Sequence, residues 1–196
     1  MEILQKLYQS ILITGIWEWI AVVSSLIYVV LMSYHKISAW HFAAISSGIY
    51  VYICYNANLY LDATLQIFYV FMAVYGWYSW NSNDKKLKFK TFPLKTNILL
   101  IVLGVFTSVI LGWLFSTFTR QYNPFLDAGI FVFSIITTYL ASISIIENWL
   151  FWILIDLLAM YVFGSRELYL TAVLYLIYSL MAAFGYINWI KLYKKQ

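Results

Sequence analysis

Apolar runs of roughly bilayer-crossing length alternate with short polar breaks along this chain. They fall near residues 16–34, 38–55, 59–80, 95–115, 125–143, 148–163 and 168–190. A hydrocarbon core ~30 Å thick needs roughly 20 predominantly apolar residues in a helix, so the pattern predicts seven transmembrane helices. A helix satisfies its own backbone hydrogen bonds in lipid, which a loop or an open strand cannot do. Residues 1–15 are apolar too, but Lys6 and Gln9 interrupt them. That stretch either lengthens the first span or lies along the interface. The clearest breaks are Asn81–Lys95, with Lys85, Lys86, Lys88, Lys90, Lys95 and Pro93, and Arg120–Pro124.

Composition sharpens this picture. Of 196 residues, 64% are hydrophobic and 10% charged, against about 45–50% and about 25% in an ordinary soluble domain. Too few charges exist to coat a water-facing surface, which excludes a soluble enzyme. The reading is an all-α polytopic membrane protein, residues 1–196 forming a single membrane domain with short loops. The net charge of +4 gathers at span ends and points to no nucleic acid. A single cysteine, Cys54, excludes an intrachain disulfide and a Cys-based metal site. No metal or cofactor is expected. Glu2 and the absence of a basic leading segment argue against a cleavable signal peptide.

Positive residues set the orientation. One side holds Lys36, the lysines of the 81–95 loop, Lys191, Lys194 and Lys195; the other holds Lys6, Arg120 and Arg166. The positive-inside rule makes the first side cytoplasmic, which puts the amino terminus outside and the carboxyl terminus inside. Trp17, Trp19, Trp40, Trp77, Trp80, Trp113, Trp149 and Trp189 all stand near span ends, as an interfacial aromatic belt would have them.

A repeat runs through the chain. Shifting it by 109 residues pairs Trp40 with Trp149, Phe42 with Phe151, Tyr60 with Tyr169, Tyr69 with Tyr178, Gly76 with Gly185 and Trp80 with Trp189. The first and fifth spans match more weakly, with the acids Glu18 and Asp127 at equivalent positions. Residues 16–80 and 125–190 are then two three-helix bundles, joined by a basic cytoplasmic loop and a linker helix over 81–124. Four crossings separate equivalent helices, so both bundles run the same way. The predicted architecture is a parallel 3+1+3 repeat, SWEET-like, with a substrate site between the halves near mid-membrane.

An ionisable group inside a span costs at least ~2.5–3.5 kcal/mol on insertion scales and should face protein or water. Asp156 stands eight residues beyond Asn148, ~12 Å along a helix and near the midplane. Asn148, Trp152 and Asp156 share one helical face; their counterparts are Ala39, Ala43 and Ser47, so the two halves differ there. Asp62, Gln66 and Tyr69 form a second stripe, with Tyr175 at the repeat position of Gln66 and Tyr178 one turn on. Each has an ordinary alternative: a helix-start acid for Asp62, a helix cap for Asn148, packing for the aromatics. Together, acids, amides and indole or phenol faces suit a flat, cationic ring carrying hydroxyls. No Arg or Lys lies inside a span, so a phosphorylated substrate fits poorly.

These residues resemble PnuC-type vitamin transporters. The similarity lies in Glu147-Asn148-Trp149-Leu150-Phe151-Trp152-Ile153-Leu154-Ile155-Asp156, and in Asp62…Gln66…Tyr69…Tyr75-Gly76-Trp77-Tyr78-Ser79-Trp80. It continues from Leu168-Tyr169 through Tyr175 and Tyr178 to Trp189. The resemblance implies uptake of nicotinamide riboside across the bacterial inner membrane by facilitated diffusion, with a cytoplasmic kinase trapping the product. Some relatives carry thiamine, which would fit the same cage. The implied substrate-binding set is Gln66, Asn148, Trp152 and Asp156, followed by Asp62, Tyr69, Tyr175 and Tyr178. An intramembrane enzyme is a weaker reading, because His35 and His41 stand near a span end as interfacial residues. A retinal-type receptor would need a lysine in 168–190, which has none. The sequence is compatible with a homo-oligomer and does not decide it.

Overall fold

The computed structural model describes residues 2–57, 59–81, 89–118 and 123–196. Lys85, Lys86, Lys88 and Arg120, used above for orientation, lie outside these residues. The described chain is all-helical: α1 (Glu2–Ile13), α2 (Ile16–Ser33), α3 (Ala39–Asn56), α4 (Tyr60–Asn81), α5 (Leu94–Phe118), α6 (Pro124–Ser142), α7 (Asn148–Ser165) and α8 (Tyr169–Tyr193). Helices α2, α5, α6, α7 and α8 are long and apolar enough to cross a membrane; α3 and α4 are more polar. Helix α1 has 12 residues, ~18 Å at helical rise, and is too short to cross. The amino-terminal stretch therefore forms its own element rather than lengthening the first long helix.

Packing closes a ring of helices. Helix α2 packs on α3 and α8, α3 on α4, α4 on α6, α6 on α7, and α7 on α8. Among the described residues α5 packs only on α6, and α1 only on α8. Small residues permit the α5–α6 approach: Gly104 meets Phe133, and Gly112 meets Phe125. Without a hydrophobic drive between helices in lipid, such close van der Waals packing holds them together. The outer face of α5 exposes Leu99, Val102, Phe106 and Val109, as a lipid-facing helix does.

Helices α2, α6 and α7 end alike. His35, Ser144 and Glu167 adopt left-handed φ of 54°, 60° and 60°. In each case the next backbone N–H reaches five residues back: Lys36 to Leu31, Ile145 to Leu140 and Leu168 to Phe163. This is the Schellman closure, which satisfies otherwise orphaned carbonyls. His35 and Ser144 are repeat counterparts, so two matching turns sit at one end of the ring.

That end is packed with aromatics. Trp40, Trp80, Trp149 and Trp189 are buried and share one cluster with Phe89. The belt reading is corrected for these four; Trp17, Trp19, Trp77 and Trp113 remain exposed. The cause is a glycine beneath an indole in each half. A methyl group at Gly76 would collide with the Trp40 ring, and one at Gly185 would sit 2.7 Å from Trp149. Trp40 meets Trp80 edge-on at 5.3 Å, and Trp149 meets Trp189 edge-on at 5.5 Å.

Candidate functional site

His35 stands at the centre of this aromatic plug. Its ring stacks on Trp80 at 3.9 Å, lies 4.5 Å from Phe89 and 5.3 Å from Trp189. Its Nε2 hydrogen-bonds Ser144 Oγ at 3.0 Å, joining the two matching turns. Burial pushes the imidazole down to a pKa of about 4. The interfacial assignment of His35 is thereby corrected, while His41 is exposed beside Trp77. Trp80 Nε1 donates to the Ser142 carbonyl (3.0 Å), and Trp189 Nε1 donates to the Met32 carbonyl (2.9 Å). Each bond runs from the last helix of one repeat to the first helix of the other. The segment following the basic loop crosses the same end: Lys90 N donates to Ser144 O, and Ile146 N to Lys90 O. Phe92 N donates to Glu147 Oε1 at 3.1 Å.

Above the plug, α7 carries Asn148, Trp152 and Asp156. Asn148 is fully buried; its Nδ2 donates to the Ile145 carbonyl at 2.6 Å, while Oδ1 has no hydrogen-bond partner among the described residues. A buried acceptor left open in this way costs free energy unless something fills it. Trp152 is half-buried and touches both hydrophobic clusters. Asp156 is 4% exposed and interacts electrostatically with Tyr69, Tyr175 and Tyr178. Tyr175 meets Tyr178 edge-on at 6.0 Å and stacks on Phe163 at 5.3 Å.

The expected residues thus divide into groups. Asp156, Tyr69, Tyr175 and Tyr178 converge inside the ring. Asn148 and Trp152 line the α7 face between them and the plug. Gln66 is half-buried one turn before Tyr69. Asp62 belongs to the opposite end, exposed and interacting electrostatically with Asp127 and Arg166. There Arg166 Nη2 clamps both carboxylate oxygens of Asp127 at 2.8 and 2.6 Å, and Lys6 pairs with Glu167 at 2.7 Å.

Four interior residues escaped the sequence reading. Tyr28 interacts electrostatically with Tyr69, and Tyr50 with Tyr178. Ser134 hydrogen-bonds Tyr69, and Ser25 hydrogen-bonds Tyr178. The signal was present, because Ser25 and Ser134 are themselves a pair at the 109-residue offset. A groove of about 350 Å³ among Val29, Val30, Ser33, Leu180, Met181 and Phe184 lies outside this cluster on the α2–α8 surface. Its apolar walls suit an acyl chain.

The arrangement can receive a donor-rich, flat, uncharged or cationic molecule inside a membrane-embedded ring. The chain is 26% identical over 88% of its length to the nicotinamide riboside transporter PnuC of Escherichia coli, covering 84% of that protein. It is 29% identical over 90% of its length to the PnuC of Neisseria mucosa, covering 72% of that one. The crystal structure of the vitamin B3 transporter PnuC superposes with a TM-score of 0.75 over 98% of this chain and 90% of that one, at 24% identity. The sequence model of the nicotinamide mononucleotide transporter family matches residues 15–191, nearly the whole chain, so this membrane protein belongs to that family of small-molecule transporters.

Proposed function

We propose that this chain imports nicotinamide riboside across the bacterial cytoplasmic membrane by facilitated diffusion. The observation that carries the reading is the convergence of Asp156, Tyr69, Tyr175 and Tyr178 inside a closed ring of helices. Two carriers it resembles in sequence are named nicotinamide riboside transporters. In this reading α2 to α8 cross the bilayer as a parallel 3+1+3 repeat, with 16–80 and 125–190 as the two bundles. The ring contacts support it, because the α4–α6 seam and the α2–α8 seam exchange under the repeat. Helix α1 lies along the outer interface, and the basic end faces the cytoplasm.

The site has a chemical logic. Asp156 balances the positive charge of the pyridinium, and Trp152 offers a ring face, worth ~0.5–2 kcal/mol to a cation. Asn148 Oδ1 and the tyrosine oxygens accept hydrogen bonds from ribose hydroxyls. Gln66 lies on the same side, and Asp62 attracts cations at the outer mouth. The riboside is favoured over the mononucleotide because Arg166, at the end where Asp62 lies, is held by Asp127. The plug closes the cytoplasmic end, so the ligand reaches the site from outside in this state. Rocking of the two halves then releases it, and a cytoplasmic kinase traps it as a phosphate.

Initial-rate uptake of radiolabelled nicotinamide riboside in cells lacking their own carrier tests the proposal. Unlabelled riboside should compete, and nicotinamide mononucleotide and thiamine should not. Competition by thiamine without competition by the riboside would overturn the assignment.

A further inference from the structure

Both seams between the repeats carry a tyrosine–serine hydrogen bond at mid-depth. Tyr178 of α8 meets Ser25 of α2, and Tyr69 of α4 meets Ser134 of α6. The two bonds are repeat counterparts, each joining one half to the other. Ser25 Oγ also lies 2.7 Å from the Val22 carbonyl, to which it donates. A serine hydroxyl has one proton, and that proton is committed to Val22. Toward Tyr178 it can therefore only accept, so the phenol donates its own proton to Ser25. What Tyr178 turns to the interior is an oxygen with lone pairs alone.

Were the Tyr178 proton free, the phenol would donate to a ligand as readily as accept from it. We infer that Ser25 is a positioning residue for transport: it holds the Tyr178 proton, so the phenol presents an acceptor to a ligand rich in O–H or N–H donors. Ser134 holds Tyr69 at the equivalent place on the other seam. The inference rests on the proposed placement of Tyr178 beside the substrate.

Uptake kinetics of Ser25→Ala, Ser25→Thr, Tyr178→Phe and the double variant Ser25→Ala/Tyr178→Phe test it, with radiolabelled nicotinamide riboside as probe. Loss of one such bond should raise the KM of Ser25→Ala about 3- to 10-fold with Vmax nearly unchanged. Ser25→Thr, which keeps the hydroxyl, should restore it. In the Tyr178→Phe background the serine change should cost nothing further, because its effect passes through the phenol. An unchanged KM in Ser25→Ala beside a raised KM in Tyr178→Phe would overturn the inference and spare the site. No effect from either variant would remove Tyr178 from the path and sink both. A fall in Vmax alone would assign Ser25 to movement of the seam and also overturn it. Should Ser25→Ala fail to reach the membrane, Ser25→Cys, a weaker acceptor of similar size, carries the same comparison.

Discussion

Trp152 stands where packing and recognition meet, since its indole touches both hydrophobic clusters and remains half-buried. Trp152→Ala should weaken riboside binding about tenfold, within the range expected of a desolvated cation–ring contact, while the purified protein still unfolds cooperatively. Calorimetric titration beside a thermal melt checks this, and an unaltered Kd would remove Trp152 from the site. His35 gives a second residue-scale expectation. In the folded protein it stays neutral until about pH 4, whereas its ordinary value is 6.5. Between those values the unfolded chain binds more protons, so stability falls as pH drops from 6.5 toward 4 and levels off below. His35→Asn, which also tolerates left-handed φ, should flatten that window. Melting temperatures of both proteins across pH 4–7 in detergent would reveal it; identical curves would contradict a neutral, buried imidazole.

Helices supply the second scale, where tight crossings decide stability. Gly76 and Gly185 each lie under a tryptophan of a neighbouring helix in the same half. Alanine at either position gains about 1 kcal/mol of helix propensity but forces a methyl group into an indole, an overpacking that typically costs ~1–3 kcal/mol. Gly76→Ala and Gly185→Ala should both lower the melting temperature in detergent, whereas Gly48→Ala, whose methyl meets nothing within 4 Å, should not. Equal behaviour of all three would refute the crossings. The helices themselves were legible in the sequence to within about three residues, because lipid makes apolar length the dominant signal. The buried indoles were not legible, since a tryptophan near a span end has the interfacial belt as its ordinary place. Only the glycine that recurs with each indole in both halves distinguishes Trp40 and Trp149 from Trp17. The inward stripe of α7 was readable because Asp156 has no inexpensive place in lipid. Ser25 and Ser134 were not, because a serine within a membrane helix commonly does no more than bond its own backbone carbonyl, as Ser33 does to Val30.

At the scale of the molecule, two halves meet along seams held at one end by Trp80 to Ser142 and Trp189 to Met32. These bonds must break together for that end to open, while the tyrosine–serine pairs at mid-depth lie nearer any pivot. The proposed facilitated diffusion calls for no ion. Proton-driven carriers relay protons through chains of intramembrane acids or histidines. Asp156 has Trp152, Ile153, Ala159 and Met160 as its one-turn neighbours. His35 lies in the plug at the other end of that helix face and keeps its neutral form above about pH 4. In the proposed site Asp156 acts as counter-ion while the cationic ligand is bound, and such a ligand moves down its own gradient without a proton. Initial-rate uptake into proteoliposomes should therefore be the same with and without a proton gradient at fixed membrane potential. It should respond to the potential itself, because a net positive charge crosses, each 100 mV being worth ~2.3 kcal/mol per charge. Uptake that ceases when the pH gradient alone is dissipated would make Asp156 a proton carrier and the mechanism symport.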